Sequence, residues 1–224
     1  MRTCIRARWP LALLLASLLL PPFVAGGTAG ATSTARDSRA DCFSEDNGRR
    51  IRGCTEMLGD AGNSPEEEAM AYAMRALAHS LEGRYDTALQ DYDAAIALNP
   101  DFAIALNNRA WALYKAGRAA EGLKDVERAL RLSPASPHAL DTRAHIRQEK
   151  GEVRAALADY EMAMRFGGER MVKLYQCGLQ SHGLYAGDIN GVYSPAMRRG
   201  LETCVSTRGC DPLPPDEECR KVTS

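Results

Sequence analysis

Residues 69–102 read AMAYAMRALAHSLEGRYDTALQDYDAAIALNPDF, residues 103–136 AIALNNRAWALYKAGRAAEGLKDVERALRLSPAS, and residues 137–170 PHALDTRAHIRQEKGEVRAALADYEMAMRFGGER. Laid under one another they keep step without an insertion. Ala76, Ala110 and Ala144 fall 34 apart, as do Gly83, Gly117 and Gly151, and Ala95, Ala129 and Ala163. Ala88, Gly122 and Ala156 supply a second small position, and Tyr92, Val126 and Tyr160 a large one. Leu98, Leu132 and Phe166 follow six residues later, and Pro100 and Pro134 close the first two units where Gly168 closes the third. The recurrent glycine suits a left-handed residue that ends one helix and lets the chain reverse. The small residues on either side of it suit two helices crossing at close approach. Each unit is therefore a helical hairpin, and neighbouring hairpins must stack to bury their apolar faces.

A 34-residue helical-hairpin period with these landmarks resembles the tetratricopeptide repeat. The resemblance implies an all-α superhelix over residues 65–170, with units at 69–102, 103–136 and 137–170. Ser64-Pro65-Glu66-Glu67 supplies a capping Ser, a first-turn Pro and a returning Glu, and Ser136-Pro137 starts the third unit in the same way. Arg75, Arg109 and Arg143 are also in phase, and their stems are expected to pack while their heads meet water.

One period upstream of Ala76 and Ala88 stand Cys42 and Cys54. Both occupy the small contact positions of a fourth, degenerate repeat, expected over residues 36–64. A Cys42–Cys54 disulfide would clamp that incomplete hairpin; the competing reading is a loose arm closed by a loop.

Further upstream, Arg2, Arg6 and Arg8 precede the apolar run Leu11–Leu20, which Pro21-Pro22 and small residues terminate. This pattern describes a secretory signal peptide over residues 1–31, with cleavage after Gly26, Ala29, Ala31 or Ala35. An uncleaved anchor is the alternative; a stable membrane span after cleavage is not expected. Removal of Cys4 with the leader leaves six cysteines, an even number that in an exported, periplasmic or secreted chain reads as disulfides. No Cys-x-x-Cys and no suitably spaced His pair accompanies them, so neither a metal nor a cofactor is expected. The remaining chain carries 25 basic against 29 acidic residues, a balance that argues against nucleic acid.

The resemblance also assigns a concave groove to the first helix of each unit. Its facing positions are Met70, Ala73, Leu77 and Ser80, then Ile104, Asn107, Trp111 and Tyr114, then His138, Asp141, His145 and Gln148. Trp111 and Tyr114, one turn apart, are the expected anchors for a protein or peptide partner. Some repeats of this kind grip a terminal carboxylate with Lys, Arg and Asn; only Asn108 fits that pattern here, and Ala73, Leu77, His138 and Thr142 do not. His138 and His145 are read as surface residues.

After Gly167-Gly168 the composition changes. Gln176, Leu179, Gly183, Gly187, Gly191, Pro195, Arg198 and Leu201 keep a spacing that looks like a small three-helix peptidoglycan-binding-like domain, placed at residues 171–224. That resemblance makes Asp188, Asn190, Tyr193 and Arg198 wall-ligand candidates, although Asn190 and Ser194 stand where the family usually has Asp and Gly. Val172, Tyr175 and Leu179 mark the helix face that would cover the last repeat. Leu201 and Cys204 share a face toward that helix, so the expected pairs are Cys177–Cys204 and Cys210–Cys219, with swapped pairing left open.

No nucleophile beside a base, phosphate loop or carboxylate pair stands out, and no catalytic residue is assigned. The reading is an exported, non-catalytic adaptor that binds a partner in its groove. The alternative is a wall-associated protein whose repeats are a spacer.

Overall fold

The computed structural model describes residues 37–213 and Cys219. The signal-peptide reading of residues 1–31 and most of the Pro-rich tail lie outside the described residues. A short helix, α1 (residues 37–42), precedes α2 (Asn47–Leu58). Three hairpins follow: α3 (Pro65–Leu81) with α4 (Tyr85–Leu98), α5 (Ala103–Lys115) with α6 (Ala119–Leu132), and α7 (Pro137–Glu149) with the first half of α8 (Val153–Ser181). The last helix is α9 (Pro195–Ser206). No helix among the described residues is long and apolar enough to cross a membrane.

Local chemistry sets these boundaries. Ser64 and Glu67 form a reciprocal capping box at the start of α3, and the Ser136 hydroxyl accepts from the Ala139 N–H at 3.3 Å to start α7. Gly83, Gly117 and Gly151 sit at φ of 74°, 74° and 75°, so each hairpin turns at a position that a side chain would strain. The crossing of α5 and α6 is close enough that a Cβ on Gly122 would lie 2.8 Å from the Ala110 carbonyl oxygen.

The in-phase arginines behave differently from the expectation that their heads are solvated. Arg75, Arg109 and Arg143 each reach across their own hairpin to Asp91, Asp125 and Asp159, with two parallel bonds of 2.7–2.9 Å per pair. All three aspartates are buried. The repeat therefore carries a bidentate guanidinium–carboxylate clamp between its two helices, in addition to apolar packing. Asp159 also accepts from Arg147 at 2.6 Å.

At the N-terminal end, Cys42 and Cys54 are joined across α1 and α2 with their Cα atoms 4.5 Å apart. Gly53 makes this approach possible, because a Cβ there would stand 2.4 Å from the Cys42 backbone nitrogen. Cys42, Cys54, Met57 and Ala71 form a small apolar cluster against the first repeat.

At the C-terminal end the periodic pattern stops at Gly168, whose φ of 64° and ψ of −156° break α8 into two helices. The second half of α8 turns back over the third repeat. Val172, Tyr175 and Leu179 join Tyr160, Ala163, Leu201 and Cys204 in one continuous core, so the C-terminal unit and the third repeat are packed as a single body. Gln176 is fully buried and holds the connection to α9 together. Its amide donates to Asn190 Oδ1 and to the Val192 carbonyl, both at 3.0 Å, and its Oε1 accepts from the Gly191 N–H at 2.8 Å.

The disulfides of this unit are Cys177–Cys219 and Cys204–Cys210, not the expected Cys177–Cys204 and Cys210–Cys219. The reason lies in how α9 ends. The Thr207 N–H returns to the Cys204 carbonyl at 2.9 Å, Gly209 adopts φ of 79°, and the Cys210 N–H returns to Thr207. This tight reversal brings the Cys210 Cα to 5.2 Å from that of Cys204. Cys177 is left to the tail, 5.6 Å from Cys219.

Candidate functional site

The predicted groove splits into an open part and a filled part. Ile104, Asn107, Asn108 and His138 come together on one cleft, floored by Ala129 and Ala139 between the second and third repeats. Ile104 is 64% exposed, unusual for a large aliphatic residue, and His138 is exposed at the cleft edge. Asn107 is only 9% exposed; its amide donates to Asn108 Oδ1 at 3.2 Å. Its own Oδ1 has no partner among the described residues. A buried amide oxygen without a donor is costly. Met70 and Leu77 are half-buried one repeat earlier and lie outside this cleft.

Trp111 and Tyr114 are half-buried with ring centroids 5.2 Å apart. Both turn toward the third repeat rather than toward open solvent. The His145 ring packs edge-on against Trp111 at 5.2 Å, then against Tyr160 at 5.2 Å, and Tyr160 against Tyr175 at 5.7 Å. The two aromatics thus begin a stack that runs into the C-terminal unit.

Asp141 and His145, expected on the groove surface, are buried; His145 is 2% exposed. What covers them is the chain itself. The segment 207–213 follows α9 into the end of the groove, where Asp211 Oδ1 accepts from His145 Nε2 at 2.9 Å. The other ring nitrogen, Nδ1, donates to the Asp141 carbonyl at 2.9 Å. Both nitrogens face acceptors, so the ring satisfies both only when doubly protonated. Burial opposes that charge, but Asp141 and Asp211 outweigh it and push the His145 pKa up to about 9. Burial likewise works to raise Asp211, yet the His145 bond and charge, the Leu213 N–H and Lys115 hold it below the usual carboxylate range. Burial pushes Asp141 up, against the opposing pull of His145 and of the Tyr175 hydroxyl that donates to its carboxylate.

Gln148 completes the contact. Its amide donates to the carbonyls of Cys210 at 2.7 Å and Cys204 at 3.3 Å, while its Oε1 accepts from the Tyr160 hydroxyl at 2.8 Å. His182 donates to the Asp211 main-chain carbonyl at 2.9 Å. Ser206 and Thr207 donate to the carbonyls of Glu202 and Thr203 within their own helix.

Of the wall-ligand candidates, Tyr193 and Arg198 meet at the Glu161 carboxylate, while Asn190 turns toward Gln176. Asn190 is spent on Gln176 and on the Val192 N–H, and Tyr193 donates to Glu161 at 2.7 Å. Arg198 pairs with Glu161 and Glu202, and Asp188 gives its carbonyl to the Tyr185 hydroxyl.

Sequence reasoning missed Asp91, Asp125, Asp159, Gly53, Gly200, Arg147 and Asp211. The three aspartates carried a signal, since they are themselves 34 apart and 16 beyond their arginines. Asp211 carried none.

Comparison with known proteins agrees with this architecture. A family model described as TPR repeat matches residues 78–117, and one described as tetratricopeptide repeat matches residues 103–136. The chain contains tetratricopeptide repeats. The crystal structure of MamA is similar over 61% of this chain and 77% of its own, with a TM-score of 0.51 and 16% sequence identity. At that identity the likeness speaks for the fold alone. Comparison with curated proteins yields no match.

Proposed function

From tetratricopeptide repeats as the premise, we propose that the protein is a non-catalytic, exported adaptor that captures a protein or peptide partner on its concave face. The open cleft of Ile104, Asn107, Asn108 and His138 is the primary contact. The observation that carries this reading is the exposed Ile104 beside Asn107, Asn108 and His138 on one cleft. An apolar anchor beside a few polar side chains is what a peptide fills. Export is supported by the three disulfides among the described residues, bonds that persist in oxidising compartments. The wall-binding alternative draws no support from Asn190, Tyr193 and Arg198, whose polar groups are committed within the chain.

The test is selection of peptides from a random library on the full chain, followed by titration of the selected peptides against Ile104→Arg and Asn107→Ala. The expected result is a loss of at least about tenfold in affinity for Ile104→Arg with unchanged thermal unfolding. Peptides that bind both variants as they bind the wild type would remove the cleft from the account.

A further inference from the structure

The filled end of the groove shows what that end can hold. Residues 207–213 read Thr-Arg-Gly-Cys-Asp-Pro-Leu. Gln148 holds the segment's Cys210 main-chain carbonyl, His145 holds its carboxylate, and Leu213 packs against the shared core. A groove amide on backbone, a cationic ring on an acid and an apolar seat two residues later are peptide-recognition contacts. They use the groove-facing positions of the third repeat rather than its stacking faces.

The segment is tied to α9 by the Cys204–Cys210 bridge, Pro212 is buried and Leu213 packs against the core. Ser206, Thr207, Arg208 and Gly209 are exposed, and a cleft of 580 Å³ remains between the segment and the turn from α7 to α8. The packing of Tyr175, Leu179, Met197 and Leu201 against the third repeat does not pass through it. Between these anchors the Asp211 carboxylate meets the groove through hydrogen bonds, and polar contacts of this kind are open to exchange with a competitor making the same bonds.

We propose that the His145 end of the groove is a site for an acidic peptide segment, and that the chain's own Asp211 loop occupies it until a partner's acidic segment displaces the loop. This rests on the reading of the groove as the binding surface, and it adds the chemistry of the partner and a built-in competitor. The partner's carboxylate meets His145 and its backbone meets Gln148, while Lys115 adds positive potential near the carboxylate position.

The experiment uses a fluorescein-labelled peptide Thr-Arg-Gly-Ser-Asp-Pro-Leu, in which Ser replaces the cysteine, titrated by anisotropy against the full chain. Asp211→Asn weakens the internal occupant and leaves the disulfides in place. The expected result is binding to Asp211→Asn at least about tenfold tighter than to the wild type, and loss of that gain when the peptide carries Asn for Asp. Equal binding to both chains, or equal binding of the Asn peptide, would overturn the proposal. Should Asp211→Asn unfold, hydrogen exchange of the wild-type segment 207–213 under excess peptide decides: faster exchange supports displacement, and unchanged exchange sinks it. Failure here with success of the Ile104-dependent peptides removes only this site. Failure of both removes the groove reading itself.

Discussion

The two ends of the superhelix are finished in different ways. At the N-terminus, α1 and α2 continue the 34-residue register, and the Cys42–Cys54 bridge sits at the two positions where complete repeats place small contact residues. At the C-terminus the register is abandoned at Gly168, and the closing unit merges its core with the third repeat and lays a loop into the groove. The first cap imitates a repeat and leaves the concave face alone. The second covers the last apolar face and also fills part of the face where the first helices of the repeats line up. An array end can therefore be capped by extending its pattern or by breaking it, and only the second mode alters what the groove exposes.

The largest expected effect comes from forcing the two caps apart from within. A Cβ on Gly53 would lie 2.4 Å from the Cys42 nitrogen, and one on Gly200 would lie 2.4 Å from the Leu184 carbonyl oxygen. Gly53→Val and Gly200→Val are each expected to cost about 3 kcal/mol or more, measured by urea unfolding. Hydrogen exchange separates the ends. Loss of protection is expected to stay within residues 37–58 for Gly53→Val and to spread into α7 for Gly200→Val. Confinement of the Gly200 effect to residues 184–213 would break the comparison.

Next in size are the clamps that the caps enclose. Asp159→Ala strands two guanidinium groups, Arg143 and Arg147, whereas Asp91→Ala strands Arg75 alone. The expected losses are about 3 kcal/mol for Asp159→Ala and about 2 kcal/mol for Asp91→Ala. Equal losses would mean that Arg147 adds nothing at the third repeat.

A smaller, pH-dependent effect belongs to the C-terminal cap alone. His145 faces Trp111 and Tyr114 from α5, Tyr160 from α8, Asp141 on its own helix and Asp211 from the loop, with Tyr175 behind Asp141 and Lys115 close to Asp211. Its folded pKa of about 9 lies above the unfolded value near ~6.5. The stabilisation is therefore complete below about pH 6.5 and fades as the pH rises through about 9. Asp211 has the opposite dependence: its contribution is present above about pH 4 and is lost as the pH falls through its lowered folded value. The stability difference between wild type and His145→Gln should be about 1–2 kcal/mol at pH 6 and shrink toward pH 10. A difference that stays constant over that range would contradict a charged latch. The smallest effect is expected at Arg198→Ala, whose exposed ion pairs should contribute less than about 0.5 kcal/mol to the unfolding free energy.

What the sequence made legible followed its period. The hairpins, the left-handed glycines, the capping Ser64 and the placement of Cys42 and Cys54 all repeat or extend a 34-residue step. The arginine clamps were half legible: Arg75, Arg109 and Arg143 were visible in phase, but their partners sit on the other helix of the hairpin and require the fold to be seen as a pair. The groove was legible as a set of helix faces, since Ile104, Asn107, Asn108 and His138 do meet on one cleft. Its closed end was not. Nothing periodic announces Asp211, and the seating of its loop depends on a reversal at Gly209, five residues after the buried Cys204. The same reversal decided the disulfide pairing, which helix faces alone had suggested would join Cys177 to Cys204.

The seating of that loop is tested most directly by mapping the disulfides of the unreduced chain after cleavage at Arg198, Arg208 and Glu218, which puts Cys177, Cys204, Cys210 and Cys219 on four different fragments. The account predicts a linked pair carrying Cys204 and Cys210 and a second pair carrying Cys177 and Cys219. A fragment pair joining Cys177 to Cys204 would contradict it, because α9 would then be tied to α8 without the loop that carries Asp211 to His145.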